Sequence, residues 1–165
     1  REVMEKSLWE RDIQYVVLGS GEWQYESFFR ELHDKYPDKV GVTIGFIPDL
    51  ARKIYAGADL FLMPSKSEPC GLSQMVALRY GTVPIVRETG GLKDSITDSG
   101  DGEGNGFTFQ TYDAYDMLGA IYRGVEAYNN KDYWPTLVER ALNCDMSWGK
   151  SANEYIKMYK SLLKD

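Results

Sequence analysis

Residues 65–72 carry the side chains best suited to chemistry in this chain. Their sequence, SKSEPCGL, places the carboxylate of Glu68 three positions before Gly71. An apolar, strand-like run at 58–63 leads into them, and a helix-like pattern follows at 73–80. The first N–H groups of a helix lack intrahelical partners and carry partial positive charge, so a glycine-bounded turn before a helix suits an anionic phosphate. The stretch predicts a carboxylate beside an anion-binding turn.

The position of this turn also favours a binding function. In open α/β sheets, ligands bind in the crevice at the carboxyl ends of the strands. From the turn alone a second interpretation stays open, in which it is an ordinary strand-to-helix connection with an acidic residue near a helix N-terminus. The elements that surround the turn are therefore needed to choose between the two.

The rest of the chain alternates apolar runs of strand length with amphipathic stretches of helix length, which predicts βα units and a parallel sheet. The predicted strands are 13–18, 40–44, 58–63, 83–86 and 106–109. The predicted helices are 2–10, 22–35, 49–55, 72–80, 112–128, 133–144 and 147–163. The fold class is therefore α/β, a Rossmann-like parallel sheet with flanking helices and a C-terminal helical tail. The polar, glycine-rich stretch 98–105 is predicted to be a flexible surface loop.

The composition limits the classes of protein to which the chain can belong. Its 165 residues, with 43% hydrophobic and 27% charged side chains, predict a single domain, 1–165, with a hydrophobic core. A formal net charge of −6 argues against a nucleic-acid-binding or membrane-binding surface. The two cysteines lack metal-ligand spacing and are too few for a disulfide scaffold, and no apolar run is long enough to span a bilayer. We therefore expect a soluble, intracellular domain.

The first residues look like the second half of a helix that leads into the strand at 13–18. The strand and turn that normally precede such a helix are absent from the sequence. In a doubly wound sheet of order 3-2-1-4-5-6, the absent strand is the central one. We therefore expect a domain that is truncated at its N-terminus and belongs to a larger polypeptide. Another segment or chain, as in a dimer or by strand exchange, would fill the gap, or the sheet would be distorted.

A series of motifs runs through nearly the whole chain. They are Gly45-Phe46, Ala56-Gly57-Ala58-Asp59, Pro64-Ser65, Glu68-Pro69-Cys70-Gly71-Leu72, Tyr80-Gly81-Thr82-Val83-Pro84-Ile85-Val86-Arg87, Thr89-Gly90-Gly91-Leu92-Lys93-Asp94, Gly104-Asn105-Gly106-Phe107 and Ser147-Trp148. Together they resemble the bacterial glycogen synthases and plant starch synthases, which are retaining glucosyltransferases with two Rossmann domains, the GT-B architecture. The resemblance implies the C-terminal, sugar-nucleotide-binding half of such an enzyme, lacking its own first strand and turn.

The resemblance implies roles for the residues of the turn. Glu68, the catalytic candidate, matches a glutamate that binds the hydroxyls of the donor glucose, a task suited to a carboxylate with several acceptor sites. The donor-phosphate cradle of the family corresponds to Cys70, Gly71, Leu72 and Ser73. For Cys70, a small buried hydrophobe is the alternative interpretation.

Four further donor-binding candidates lie at other predicted strand ends. Phe46 matches an aromatic position that flanks the adenine of the donor, with a core residue at a strand end as the alternative. Gly90 and Gly91 are expected near the diphosphate, since these strand ends share one edge of the sheet. Gly19 could approach the nucleotide, or it could simply form a tight turn. His33 has no companion at ligand spacing, so we interpret it as a surface residue.

One departure separates the chain from more distant transferases. Many relatives such as sucrose and trehalose-type synthases have a second glutamate eight positions after the first, where this chain has Val76. Glycogen and starch synthases commonly lack it as well. Cys70 after Pro69 points the same way, because the other relatives carry phenylalanine or another residue there. Both observations favour a glucan synthase.

The implied reaction transfers glucose from ADP-glucose to the nonreducing 4-hydroxyl of an α-1,4-glucan with retention. In the family an arginine and a lysine, which match positions upstream of Arg1, stabilise the departing diphosphate, so neither a metal nor an organic cofactor is implied. The acceptor site also lies upstream, so the chain alone is expected to be inactive. The implied location is the bacterial cytoplasm, or a plastid for a plant protein. Two alternatives remain open, namely a noncatalytic nucleotide-sugar-binding module and a related synthase that uses UDP-glucose.

Overall fold

The computed structural model describes residues 1–6 and 11–163 and has the α/β architecture that the sequence predicts. The strands are β1 (Tyr15–Gly19), β2 (Val40–Ile44), β3 (Leu60–Met63), β4 (Val83–Arg87) and β5 (Phe107–Phe109). The helices are α1 (Glu2–Lys6), α2 (Trp23–Lys35), α3 (Pro48–Gly57), α4 (Ser73–Tyr80), α5 (Gly90–Ser95), α6 (Ala114–Asn129), α7 (Trp134–Asn143) and α8 (Trp148–Leu162). Each predicted strand and helix is present within a few residues, although the predicted helix 2–10 runs into residues outside the described part.

The strands form two separate parallel sheets. β1 pairs with β2, while β3, β4 and β5 pair in that order, and β1 does not pair with β3. A gap between these two strands is what the order 3-2-1-4-5-6 predicts when its first strand is absent. In the paired strands Gly19 lies opposite Ile44, and Met63 lies opposite Val86. Because the strands are parallel, the carboxyl ends within each sheet lie at one edge.

The strands beside this gap are poorly covered. In β4, Val83–Val86 are all buried, whereas neither β1 nor β3 contains a buried residue. Both are nevertheless apolar, with Val16 60% exposed and Leu62 37% exposed. Strands of a parallel sheet are normally apolar because both of their faces are buried. The sequences of β1 and β3 therefore suit more complete burial than these strands have here.

The main core lies where α6 and α7 pack on the three-stranded sheet, and its buried residues include Val83, Ile85, Phe107, Leu118 and Leu137. A second buried cluster, formed by Leu78, Val86, Leu92, Ile96 and Ala141, joins α4 and α5 to β4 and α7. Burial of such aliphatic side chains stabilises the fold by roughly 1.5–3 kcal/mol each. This cluster therefore fixes the two helices whose first residues form the site described below.

The stretch 98–105 differs from the flexible loop that its composition predicts. It contains a 3-10 turn, Ser99–Asp101, and the side chain of Ser99 is buried. The Asp98 carboxylate accepts hydrogen bonds from the backbone N–H of Thr108 and the guanidinium of Arg123, both at 2.7 Å. The prediction was wrong because these long-range hydrogen bonds, which composition does not show, hold the segment against β5 and α6.

The last helix, α8, contains no buried residue, and Trp148 at its start is 88% exposed. Trp148 therefore packs little against the rest of the domain. Trp134, by contrast, packs edge-on against the ring of Tyr128, with centroids 5.3 Å apart. Within the described residues, no helix combines the length and the apolarity that crossing a membrane requires.

Candidate functional site

The polar turn that contains Glu68 and Gly71 lies between β3 and α4, at the carboxyl edge of the three-stranded sheet. β3 ends at Met63 and α4 begins at Ser73, so residues 64–72 connect them. The adjacent strand β4 ends at Arg87, and α5 follows at Gly90. Since β3 and β4 are parallel neighbours, the loops that follow them are brought side by side at this edge.

The beginning of the 64–72 loop is held by Arg87. Its Nε donates a hydrogen bond to the carbonyl of Ser65 at 3.0 Å, and its Nη2 donates to the carbonyl of Lys66. Its Nη1 also donates to the carbonyl of Gln110, 3.3 Å away, just after β5. The planar guanidinium presents several donors in fixed directions. One side chain thus joins the loops that follow β3 and β5.

The middle of the loop rests on the two glycines at the start of α5. The N–H of Gly91 donates a hydrogen bond to the carbonyl of Glu68 at 3.1 Å. A Cβ at Gly90 would lie 2.1 Å from that same oxygen, and a Cβ at Gly91 would lie 1.9 Å from the carbonyl oxygen of Cys70. Gly90 also has a φ of +46°, which other residues rarely adopt. Both glycines are therefore required for the close contact of the two loops.

The end of the loop turns on Gly71, whose φ is +73°. The side chain of Gln74 occupies the space beneath it, because a Cβ at Gly71 would lie 2.6 Å from Gln74 Oε1. Gln74 is fully buried, and its Nε2 donates to the carbonyls of Gly71 at 2.9 Å and Cys70 at 3.3 Å. It also donates to Ser95 Oγ in α5 at 3.1 Å.

The backbone donors of the turn have no partner among the described residues. Among the described residues, no acceptor takes a hydrogen bond from the backbone N–H groups of Cys70, Gly71, Leu72 or Ser73. These groups precede or begin α4, where the partial positive charge of the helix is concentrated. The thiol-bearing Cys70 is exposed, so its interpretation as a small buried hydrophobe is wrong. The sequence-predicted residues 70–73 therefore form one run of unpaired donors.

Glu68 precedes this run by two residues in the same loop. The residue is partly buried, and its side chain makes no hydrogen bond or ion pair with a described residue. Its backbone carbonyl, by contrast, is fixed by Gly91. A carboxylate that the protein does not engage retains its acceptor sites for hydroxyl groups of a ligand.

Phe46 and Gly19 lie at the carboxyl edge of the other sheet. The backbone N–H of Gly45 donates to the carbonyl of Gly19 at 2.8 Å, so the two strand ends lie side by side. Phe46 is 90% exposed, which rules out its interpretation as a core residue. A Cβ at Gly19 would meet no atom within 4 Å, so neither packing nor a positive φ requires glycine there. His33 is exposed, as predicted, and its Nδ1 lies 2.6 Å from the carbonyl oxygen of Val40.

The structure thus brings Glu68, residues 70–73 and the glycine pair 90–91 together, while Phe46 and Gly19 belong to a different sheet. Sequence reasoning assigned no role to Arg87, Gln74 or Ser95, which hold the loop. For Gln74 a signal was present, because Gln74, Ala77 and Leu78 follow the i, i+3, i+4 spacing of one helix face. A polar residue on the buried face of a helix is a candidate for a specific hydrogen-bonding role.

Comparisons with known proteins agree with this architecture. Residues 2–134 match the family model described as glycosyl transferases group 1. The chain is 53% identical to a glycogen synthase of Bacillus cereus over 99% of its length, and 56% identical to one of Geobacillus thermodenitrificans over 93%. These alignments cover 34% and 32% of the relatives. The chain therefore spans about a third of the length of the curated relatives it matches.

Solved structures show the same relationship. The catalytic domain of starch synthase IV from Arabidopsis thaliana, bound to ADP and acarbose, matches 98% of the chain with 38% identity and a TM-score of 0.85, and the match covers 34% of that protein. A sucrose-phosphate synthase from Thermosynechococcus elongatus shares the fold at 22% identity and a TM-score of 0.64, over 91% of this chain and 38% of its own. The predicted resemblance to glycogen and starch synthases of GT-B architecture is confirmed, and the chain belongs to the group 1 glycosyl transferases.

Proposed function

We propose that the chain is the donor-binding, C-terminal part of a glycogen or starch synthase that transfers glucose from ADP-glucose to the nonreducing end of an α-1,4-glucan. The observation that carries this proposal is a single loop at the carboxyl edge of the sheet, which holds both Glu68, whose carboxylate has no partner among the described residues, and the unpaired N–H groups of residues 70–73. The starch synthase IV structure was determined with ADP bound, and its likeness to this chain supports ADP as the nucleotide.

In this proposal the N–H groups of residues 70–73 receive the diphosphate. A diphosphate gains from unpaired backbone donors and from the helix dipole, which contributes about 0.3–1 kcal/mol at an exposed site. When the bond to glucose breaks, negative charge grows on the diphosphate, and donors already held in place stabilise it without rearrangement. Gly90 and Gly91, which pack against the backbone of Glu68 and Cys70, lie near the diphosphate in the same proposal.

Glu68 binds the glucose in the same proposal. Its carbonyl is fixed by Gly91 and its carboxylate has no protein partner among the described residues, so the hydroxyls of a hexose can supply the missing donors. Hydrogen bonds to a charged group contribute about 1.5–3 kcal/mol each. Glu68 then orients the sugar so that the acceptor hydroxyl approaches the face from which the diphosphate departs. The bond from C1 to the diphosphate breaks as the bond from C1 to the acceptor oxygen forms, and the hydroxyl proton passes to a phosphate oxygen of the departing diphosphate, so the anomeric configuration is retained.

Phe46 provides a flat, exposed ring for the adenine, and Gly19 lies beside it at the neighbouring strand end. The exposure of Phe46 supports stacking, because a solvent-facing aromatic ring has a free face. The relatives are about three times as long as this chain. We assign three features to the other two thirds of a polypeptide of that length: the binding site for the acceptor glucan, the cationic side chains that assist the diphosphate, and any contacts with a second copy of the protein.

Calorimetric titration with ADP and with ADP-glucose tests the donor site. We expect Glu68→Gln and Glu68→Ala to weaken ADP-glucose by tenfold or more, on the order of 1.5 kcal/mol, and to leave ADP within about twofold. Glu126→Gln is the matched control, because the Glu126 carboxylate is exposed on α6 and contacts no described partner. Equal losses for both ligands, or none, would contradict a sugar-binding role for Glu68.

Two alternatives are separated by related measurements. A noncatalytic nucleotide-sugar-binding module would bind ADP-glucose without turning it over, even in the full-length protein that contains the chain. A UDP-glucose-dependent synthase would show stronger competition by UDP than by ADP. The UDP-glucose alternative has to be tested because stacking on Phe46 does not distinguish adenine from uracil, and the sequence contains no decisive motif for adenine recognition.

A further inference from the structure

We infer that Gln74 is a positioning residue of the donor site, whose buried side-chain amide orients the phosphate-binding turn and ties it to α5. This inference rests on the proposed function, because it assigns Gln74 to the same site. Gln74 does not itself face a ligand, since its side chain is fully buried beneath Gly71.

The hydrogen bonds of Gln74 form a chain across two loops. Its Nε2 donates to the carbonyls of Cys70 and Gly71, and to the hydroxyl of Ser95. The Ser95 hydroxyl in turn donates to the carbonyl of Gly91 at 2.6 Å. One amide thereby connects the turn before α4 to the helix that follows β4.

These contacts determine where the N–H groups of the turn point. A peptide unit is planar and trans, so the carbonyl of one residue and the N–H of the next point in opposite directions. Holding the carbonyls of Cys70 and Gly71 toward Gln74 therefore turns the N–H groups of Gly71 and Leu72 away from it. Those two groups belong to the free donors proposed for the diphosphate.

Gln74 is not explained by stability. Its Oε1 is buried and has no hydrogen-bond partner among the described residues. The cost of leaving a buried acceptor unpaired is similar in size to the gain from one or two ordinary hydrogen bonds. Methionine has nearly the same length, fills irregular space well and carries no such acceptor. Relative to methionine, the polar atoms of Gln74 therefore add little net stability, whereas their effect on the direction of the peptide units is specific.

The test is Gln74→Met in the full-length protein that contains the chain, with the affinities for ADP and ADP-glucose and the melting temperature as the measured quantities. Thr82→Val is the matched control, because Thr82 is also buried and also bonds to carbonyls, those of Tyr55 and Ala58, but at the amino end of β4. We expect Gln74→Met to weaken ADP and ADP-glucose alike by about tenfold, with a fall in melting temperature no larger than that of the control. We expect the control to keep wild-type affinity for both.

Ser95→Ala provides a second, milder variant. It keeps Gln74 and removes only the link to α5, so we expect a loss of about threefold for both ligands, and this variant carries the test if Gln74→Met does not fold. Wild-type ADP affinity in the folded variants would overturn the inference while leaving the proposed function in place, and so would a loss restricted to ADP-glucose. Failure of the wild-type protein to bind ADP would overturn the proposed function, and the inference with it.

Discussion

Gly91→Ala measures how closely the geometry of the donor loop depends on α5. The added methyl group would lie 1.9 Å from the carbonyl oxygen of Cys70 and 2.6 Å from its Cα, both rigid backbone atoms. Favourable contact between carbon atoms needs roughly 3.5–4.0 Å, so the two loops must separate by more than about 1 Å. The φ of Gly91 is not positive, so alanine itself is not strained there.

The expected cost follows from this displacement. Overpacking of a close contact typically costs about 1–3 kcal/mol, and the hydrogen bond from Gly91 N–H to the Glu68 carbonyl, worth about 1 kcal/mol, would lengthen as well. Alanine recovers up to about 1 kcal/mol of helix propensity in α5. The unfolding free energy should thus fall by about 1–3 kcal/mol, which lowers the melting temperature by roughly 2–12 °C in a domain of this size.

Function should suffer more than stability. A misplacement of about 1 Å near a reacting group can cost about 100-fold in rate, so we expect ADP-glucose affinity, or turnover in the full-length protein, to fall by about 10- to 100-fold. Gly119→Ala is the control, because a methyl group at this exposed position in α6 meets no atom within 4 Å. It should leave binding unchanged and stability equal or slightly higher. A Gly91→Ala protein with normal melting, or with lower melting but normal donor affinity, would refute the reasoning.

Three further outcomes are expected. Arg87→Gln should weaken ADP-glucose by about tenfold, because it frees the carbonyls that Arg87 holds, and calorimetry checks this. Partial burial raises the pKa of Asp98, but hydrogen bonds from Thr108, Gly100 and Arg123 lower it below its ordinary value. The ionised Asp98 therefore stabilises the folded protein at neutral pH, and this stabilisation is lost as the pH falls below about 4. Asp98→Asn should make the melting temperature fall less steeply in acid. Purified 1–165 should transfer no measurable glucose from ADP-glucose to glycogen, and incorporation of radiolabelled glucose into glycogen is the measurement that checks this.

The periodicity of the sequence was sufficient to predict the elements and their parallel pairing, because both depend on local apolar spacing. β4 shows this well, since its run of apolar residues is buried on both faces. The prediction for 98–105 was wrong because a glycine-rich composition does not reveal that Asp98 would bind Thr108 and Arg123. Such contacts depend on which elements the fold brings together.

The same reason explains which parts of the site were predicted. Glu68 and residues 70–73 could be placed at a strand end from sequence, because a strand-turn-helix pattern defines that position locally. Gly90 and Gly91 were predicted near the diphosphate, but their contact with the backbone of Glu68 and Cys70 was not, because that contact depends on the pairing of β3 with β4. The role that we infer for Gln74 depends on contacts with both loops, which the sequence does not reveal. The sequence indicated only that Gln74 lies on the buried face of its helix, with Ala77 and Leu78.

The split between the two sheets has a consequence for the proposed donor site. Glu68 and the free N–H groups belong to the loop that β3 and β4 position, whereas Phe46 follows β2 in the other sheet. A bound ADP-glucose would have to contact both, so its affinity depends on the separation of β1 from β3. Among the described strands, β1 pairs only with β2 and β3 pairs only with β4, so each has an unpaired backbone edge that suits a further parallel strand between them. If a strand from the longer polypeptide fills this gap, it sets the distance from the adenine-binding ring to the phosphate-binding turn, and so contributes to donor affinity without touching the donor.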